Sequence, residues 1–97
     1  MKRQGDIIIK QVDQLPKGLK IKMDNIILWG EVTGHAHRLV GGQTFTDSNG
    51  NVFLNLLKTA KIVHEEHATI DLVKGKYVIL RTREYDYSSQ KAKEVTD

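Results

Sequence analysis

All four histidines of this 97-residue chain fall in two short stretches, His35-Ala36-His37 and His64-Glu65-Glu66-His67. Neutral imidazoles that converge on one point are transition-metal ligands. His35 and His37, two apart, project side by side from a strand. His64 and His67, three apart, converge in a tight turn or on one face of a helical turn. Together the pairs supply three or four ligands, with Glu31, Glu65 or Glu66 as a further ligand, an outer partner or a base. The chain has no cysteine. Thiolate sites and disulfides are therefore excluded, and any transition metal must rest on His, Asp or Glu. Such a donor set suits one divalent ion from among Zn, Fe, Mn, Ni and Cu. Three bound imidazoles leave a position open to water and hence to Lewis-acid chemistry, whereas four close a structural site. The sequence leaves open which of the two holds, and with it whether the protein is an enzyme, the closed non-enzymatic site being the favoured reading. The H-E-x-x-H pattern of metalloproteases is not met, because His64 and His67 are one residue too close. Two pairs of solvated or capping histidines would produce the same sequence. So would a pH switch, since clustered imidazoles repel once protonated below about pH 6.5.

The segments that must position these residues read as β-structure. Ile7-Ile8-Ile9, within Gly5 to Val12, is a β-branched run short enough for a strand buried on both faces. Pro16 and Gly18 mark a turn. A second strand from Asn25 to Val32 leads toward the first histidine pair, and a period of two places Ile27, Trp29, Glu31, Thr33, His35 and His37 on one face. A bulge at Gly34 would move Glu31 to the other face while keeping the two histidines together. Gly41-Gly42 is a turn, Gln43 to Thr46 a short strand, and Asp47-Ser48-Asn49-Gly50-Asn51 a hairpin signal. Val52 to Val63 fits a helical stripe as well as two strands turning at Lys58-Thr59. Strands are expected, because a hairpin turn precedes the segment and no capping box opens it. Thr69 to Val73 and Lys76 to Tyr87 follow as strands. Residues 88–97 are either a last short strand or a frayed tail. Seven or eight short strands predict an all-β fold, a compact and mostly antiparallel small barrel or sandwich with at most one short helical turn, in a single domain over residues 1–97.

Alternation along Lys76 to Tyr87 puts Tyr77, Ile79, Arg81, Arg83, Tyr85 and Tyr87 on one face, with Val78 and Leu80 on the other, the expected core face. Arginines interleaved with tyrosines on an open sheet can bind single-stranded nucleic acid through stacking and phosphate contacts. The same pattern makes ordinary cross-strand pairs on a solvated face. Tyr77, Arg81, Arg83, Tyr85 and Tyr87 are thus candidate residues for a nucleic-acid-binding or regulatory β module. A structural or host-interaction protein is a further reading.

Composition narrows the classes. Net charge is +3, compatible with nucleic acid without requiring it. No apolar run approaches the roughly 20 residues of a membrane helix, and Ile7-Ile8-Ile9 is too short for a signal-peptide core. No membrane association and a cytoplasmic location, in a prokaryote or a virus-infected cell, are expected. No serine sits in a nucleophile elbow, and Gly41-Gly42 lacks the lysine of a phosphate loop. Small barrels of this kind leave edges, so a homodimer that seals one of them is a natural extension.

Arg3-Gln4-Gly5-Asp6, Gly30-Glu31-Val32-Thr33-Gly34-His35-Ala36-His37, His64-Glu65-Glu66-His67 and Arg83-Glu84-Tyr85-Asp86 occur in this order along nearly the whole chain. In this the chain resembles a family of small uncharacterised proteins of bacteria, archaea, their phages and archaeal viruses. The resemblance implies a prokaryotic or viral origin and a β-rich fold, and carries no activity with it. The His-x-His also looks like part of the first cupin motif. However, only four residues separate Gly30 from His35 and the second cupin motif is absent, so no dioxygenase or isomerase chemistry is implied.

Overall fold

The computed structural model describes residues 1–30 and 34–82. Among these residues ten strands form two antiparallel sheets: β1 (Lys2–Gln4), β2 (Ile7–Val12), β3 (Lys20–Ile21), β4 (Ile26–Trp29), β5 (Ala36–Val40), β6 (Thr44–Thr46), β7 (Val52–Leu56), β8 (Ala60–Val63), β9 (Ile70–Leu72) and β10 (Gly75–Arg81). The larger sheet has the order β1-β2-β10-β7-β6-β3 and the smaller β4-β5-β8-β9. The architecture is therefore the expected all-β, mostly antiparallel one, realised as two open sheets and not as a closed barrel.

The core is one apolar cluster drawn from both sheets. Ile7, Ile9, Leu54, Leu56, Tyr77 and Ile79 come from the larger sheet, and Ile27, Leu39, Ala60, Ile62 and Leu72 from the smaller. The isoleucine run is buried on both faces as predicted, with Ile8 turned away from this cluster yet only 2% exposed. The segment 52–63 forms two strands, but β7 and β8 belong to different sheets, so the turn at Lys58-Thr59 carries the chain from one layer to the other. The β6–β7 hairpin closes on Asp47, whose carboxylate accepts the Asn49 and Asn51 N–H groups at 2.9 Å. Local Asx bonding of this kind is why the Asp-Ser-Asn-Gly-Asn stretch was legible.

Two expectations are corrected. Residues 25–37 are not one strand. β4 and β5 form an antiparallel hairpin in which Leu28 faces His37 and Trp29 faces Ala36, with a bulge between Ile26 and Leu28. The Gly30 N–H closes it on the His35 carbonyl at 2.8 Å, and Gly34 turns in the left-handed region at φ 84°. Trp29, expected to share a face with Ile27 and His37, is 60% exposed while those two are buried. The second correction concerns β10, where Tyr77 (4% exposed) and Ile79 face the core, while Val78 and Leu80 lie half-buried on the opposite face. Both faces of this strand are apolar over Tyr77 to Leu80, so period two alone cannot choose between them. The partners decide: Ile79 pairs with Ile9 and Val52, residues that already face the second sheet. Glu31, Thr33, Arg83, Tyr85, Tyr87 and the 88–97 segment lie outside the described residues.

Candidate metal centre

The site begins with the β1–β2 hairpin. Gly5 turns it with φ 56°, a conformation L side chains resist, and the Thr82 N–H fixes it by donating to the Asp6 carbonyl at 2.9 Å. The turn directs Gln4 inward, where the side chain is 2% exposed. Its amide nitrogen donates to two carbonyls of the smaller sheet's side, Ile62 and Ala68, both at 2.9 Å. Gln4 thus ties the first hairpin to the β8–β9 connection.

Those two bonds orient the amide. With both amide hydrogens committed, the Gln4 Oε1 can only accept, and it lies 2.8 Å from His37 Nδ1. The His37 Nδ1 therefore carries a hydrogen. In the neutral ring the Nε2 lone pair is then directed at Asp6 Oδ1, 3.0 Å away. Two acceptors at this separation need a proton between them, or must part to admit a metal ion. Burial pushes the His37 imidazole below its ordinary 6.5, the Asp6 hydrogen bond pulls the other way, and His64 and His67 lower it further. The net direction favours the neutral ring.

The other three imidazoles gather around this pair. The ring centre of His64 is 4.4 Å from that of His37, 4.6 Å from His67 and 5.8 Å from His35. His67 lies nearly parallel to His37 at 6.2 Å. It packs against Gly5 so closely that a Cβ there would stand 2.5 Å from His67 Nε2. His64 closes the 64–67 turn by accepting the Glu66 N–H on Nδ1 at 3.0 Å. Glu66 leans over His35, with Oε2 3.5 Å from Nδ1. Glu65 accepts from the Ala36 N–H at 2.9 Å and from Arg38 Nη1 at 2.6 Å. The guanidinium, with the Ala36 N–H, holds the Glu65 carboxyl down at about 2. His35, His64 and Glu65 offer ligand atoms within 4.8 Å of one another, a group that could hold a metal ion. Above the cluster opens a cleft of about 440 Å³, walled by Arg3, Asp6, His35, His64, Glu66 and His67 with Gly5, Gly30 and Thr82 at its edges.

The two histidine pairs, distant in sequence, thus meet, and Glu65 and Glu66 stand at their side. Tyr77 does not belong to any open surface: it is buried, and its hydroxyl donates to the Val73 carbonyl at 2.8 Å. Arg81 is half-buried at the end of β10. Sequence reasoning assigned no role to Gln4 and Asp6, although both stand in the Arg3-Gln4-Gly5-Asp6 stretch. The available signal was a polar turn with a glycine set directly before the Ile7-Ile8-Ile9 run.

No described helix is long and apolar enough to cross a membrane. Comparison with curated proteins and with solved structures gives no match. The family model of a domain of unknown function, DUF8820, matches residues 3–82, a span that holds all four histidines together with Gln4 and Asp6, and the chain belongs to that family.

Proposed function

We propose that this protein binds one divalent transition-metal ion where the His35–His37 and His64–His67 stretches meet. The observation that carries the reading is the convergence of all four imidazoles of the chain from two separate segments, with the His64 ring centred 4.4–5.8 Å from the other three. The orientation of His37 supports it. A ring whose Nδ1–H is held by a buried carbonyl oxygen presents Nε2 as the ligand, the arrangement proteins use to aim metal-binding histidines. Asp6, facing that lone pair, is then the matching carboxylate.

Ligands around a tetrahedral zinc lie about 3.3 Å apart, given bonds of about 2.0–2.1 Å. The His35, His64 and Glu65 atoms are spread over as much as 4.8 Å, so binding draws the 64–67 turn inward. His64 must also exchange its bond from the Glu66 N–H for the metal, or ligate through Nε2 after moving its proton to Nδ1. Glu65, with its proton affinity lowered by Arg38, makes a poor general base at neutral pH. A binding or regulatory role therefore fits the site better than hydrolysis. The nucleic-acid reading loses Tyr77 to the core, and no geometry among the described residues favours it.

The test is metal content of tag-free protein, followed by thermal melting with and without chelator. One equivalent of bound metal, and a melting temperature that falls on chelation, are expected. An ion present at about 100 times its Kd contributes about 2.7 kcal/mol. Substoichiometric metal together with unchanged melting would refute the reading.

A further inference from the structure

We propose that the cleft over the histidine cluster is a subsite for a small oxyanion, a carboxylate or phosphate group, with one oxygen directed at the metal and Arg3 holding its far side. The inference rests on the metal reading and names the ligand class of that site. Among the described residues, the side chains that line the cleft are charged, imidazole or hydroxyl groups. Its volume of about 440 Å³ falls in the usual range for small-molecule sites, about 300–1,000 Å³.

Charge then selects the ligand. Arg3 lies on the edge strand β1, and its Nε donates to the Gly5 carbonyl at 2.9 Å. That bond fixes the guanidinium beside the cleft and leaves the terminal nitrogens for a partner. A planar guanidinium matches the two oxygens of a carboxylate or phosphate in a forked pair. Of the ion pairs among the described residues, none involves Arg3. Among the described residues the cleft holds two carboxylates, and each is engaged by an imidazole, Asp6 by His37 and Glu66 by His35. With a divalent ion on the imidazoles, the cleft presents two cationic groups to one ligand. Gly5 and Gly30 in the lining add no side chain that would fill the space.

The experiment uses the full chain loaded with Co2+, whose visible absorption reports on the ligands of the ion. Inorganic phosphate and acetate are titrated separately in a buffer free of both, with chloride as control. A saturable spectral change with phosphate, acetate or both, absent with chloride, is expected. In Arg3→Gln the Co2+ spectrum without anion should stay as in the wild type while the anion midpoint rises roughly tenfold or more. Arg3→Lys, which keeps the charge and loses the fork, should fall between. A response to one anion alone assigns the ligand class to that anion. Failure to bind Co2+ overturns the metal reading and this inference together. Co2+ binding with a spectrum insensitive to both anions, an equal response to chloride, or an unchanged midpoint in Arg3→Gln overturns this inference alone.

Discussion

Replacing Gln4 by leucine keeps the volume and removes three hydrogen bonds. The His37 Nδ1–H loses its acceptor, and the Ile62 and Ala68 carbonyls lose their donor. The Ala68 carbonyl is partly exposed and can take up water. The bonds to His37 and Ile62 are buried, so those two groups are left without partners. Each costs about 1–3 kcal/mol, giving a loss of about 4 kcal/mol against a total stability of about 5–15 kcal/mol. With a urea m-value of about 1–2 kcal/mol/M, the unfolding midpoint should fall by roughly 2–4 M. Gln4→Glu should not rescue it, because a carboxylate can accept from His37 but cannot donate to the two carbonyls. The same leucine variant frees the ring of His37, and loss of such an orienting partner typically weakens metal binding about 10–100-fold. Urea unfolding followed by circular dichroism, with a zinc titration on the variant, reads both effects. A stability loss under about 1 kcal/mol would show that Gln4 is not the buried tie described here.

Gly5→Ala should cost about 1–2 kcal/mol for the left-handed backbone and push the His67 ring out of the cluster, since the new Cβ would stand 2.5 Å from Nε2; chemical denaturation and a zinc titration would both register it. The Glu65 carboxyl sits at about 2 in the fold against an ordinary 4.5, so its pairing with Arg38 stabilises fully above about pH 4.5 and is lost as pH falls toward 2. Glu65→Gln should therefore flatten the dependence of melting temperature on pH within that window, and an unaltered acid limb would contradict the clamp. Tyr77→Phe should lower stability by about 1 kcal/mol through loss of the bond to Val73 and leave any binding of oligonucleotides as it was.

Local signals carried the sequence reading wherever local chemistry sets structure. Ile7-Ile8-Ile9 and the Asp47–Asn51 turn specify their conformations through neighbours in the chain. The grouping of the histidines was visible for the same reason, since clustering of one residue type needs no fold to be noticed. What failed depended on contacts across the fold. Tyr77 opens the run Tyr77-Val78-Ile79-Leu80, apolar on both faces, and only its pairing with β2 and β7 decides that it faces the core. The hairpin at Gly30–Gly34 interrupts a segment whose alternation looks continuous. Gln4 and Asp6 reach His37 across 33 and 31 residues of chain, a distance that alternation along one strand does not encode. The Glu65–Arg38 pair likewise spans 27 residues.

The most direct measurement of the central claim is a long-range 1H–15N NMR spectrum of the four imidazoles during a Zn2+ titration. Before zinc, His37 should show a protonated Nδ1, the tautomer that Gln4 imposes. On adding one equivalent, the ring nitrogens of His37 and of at least two other histidines should move to the shifts of metal-bound nitrogen, with the His37 Nδ1 still protonated and no further change beyond that equivalent. Imidazole signals that stay where they were, or that drift without saturating, would contradict a metal site at this cluster.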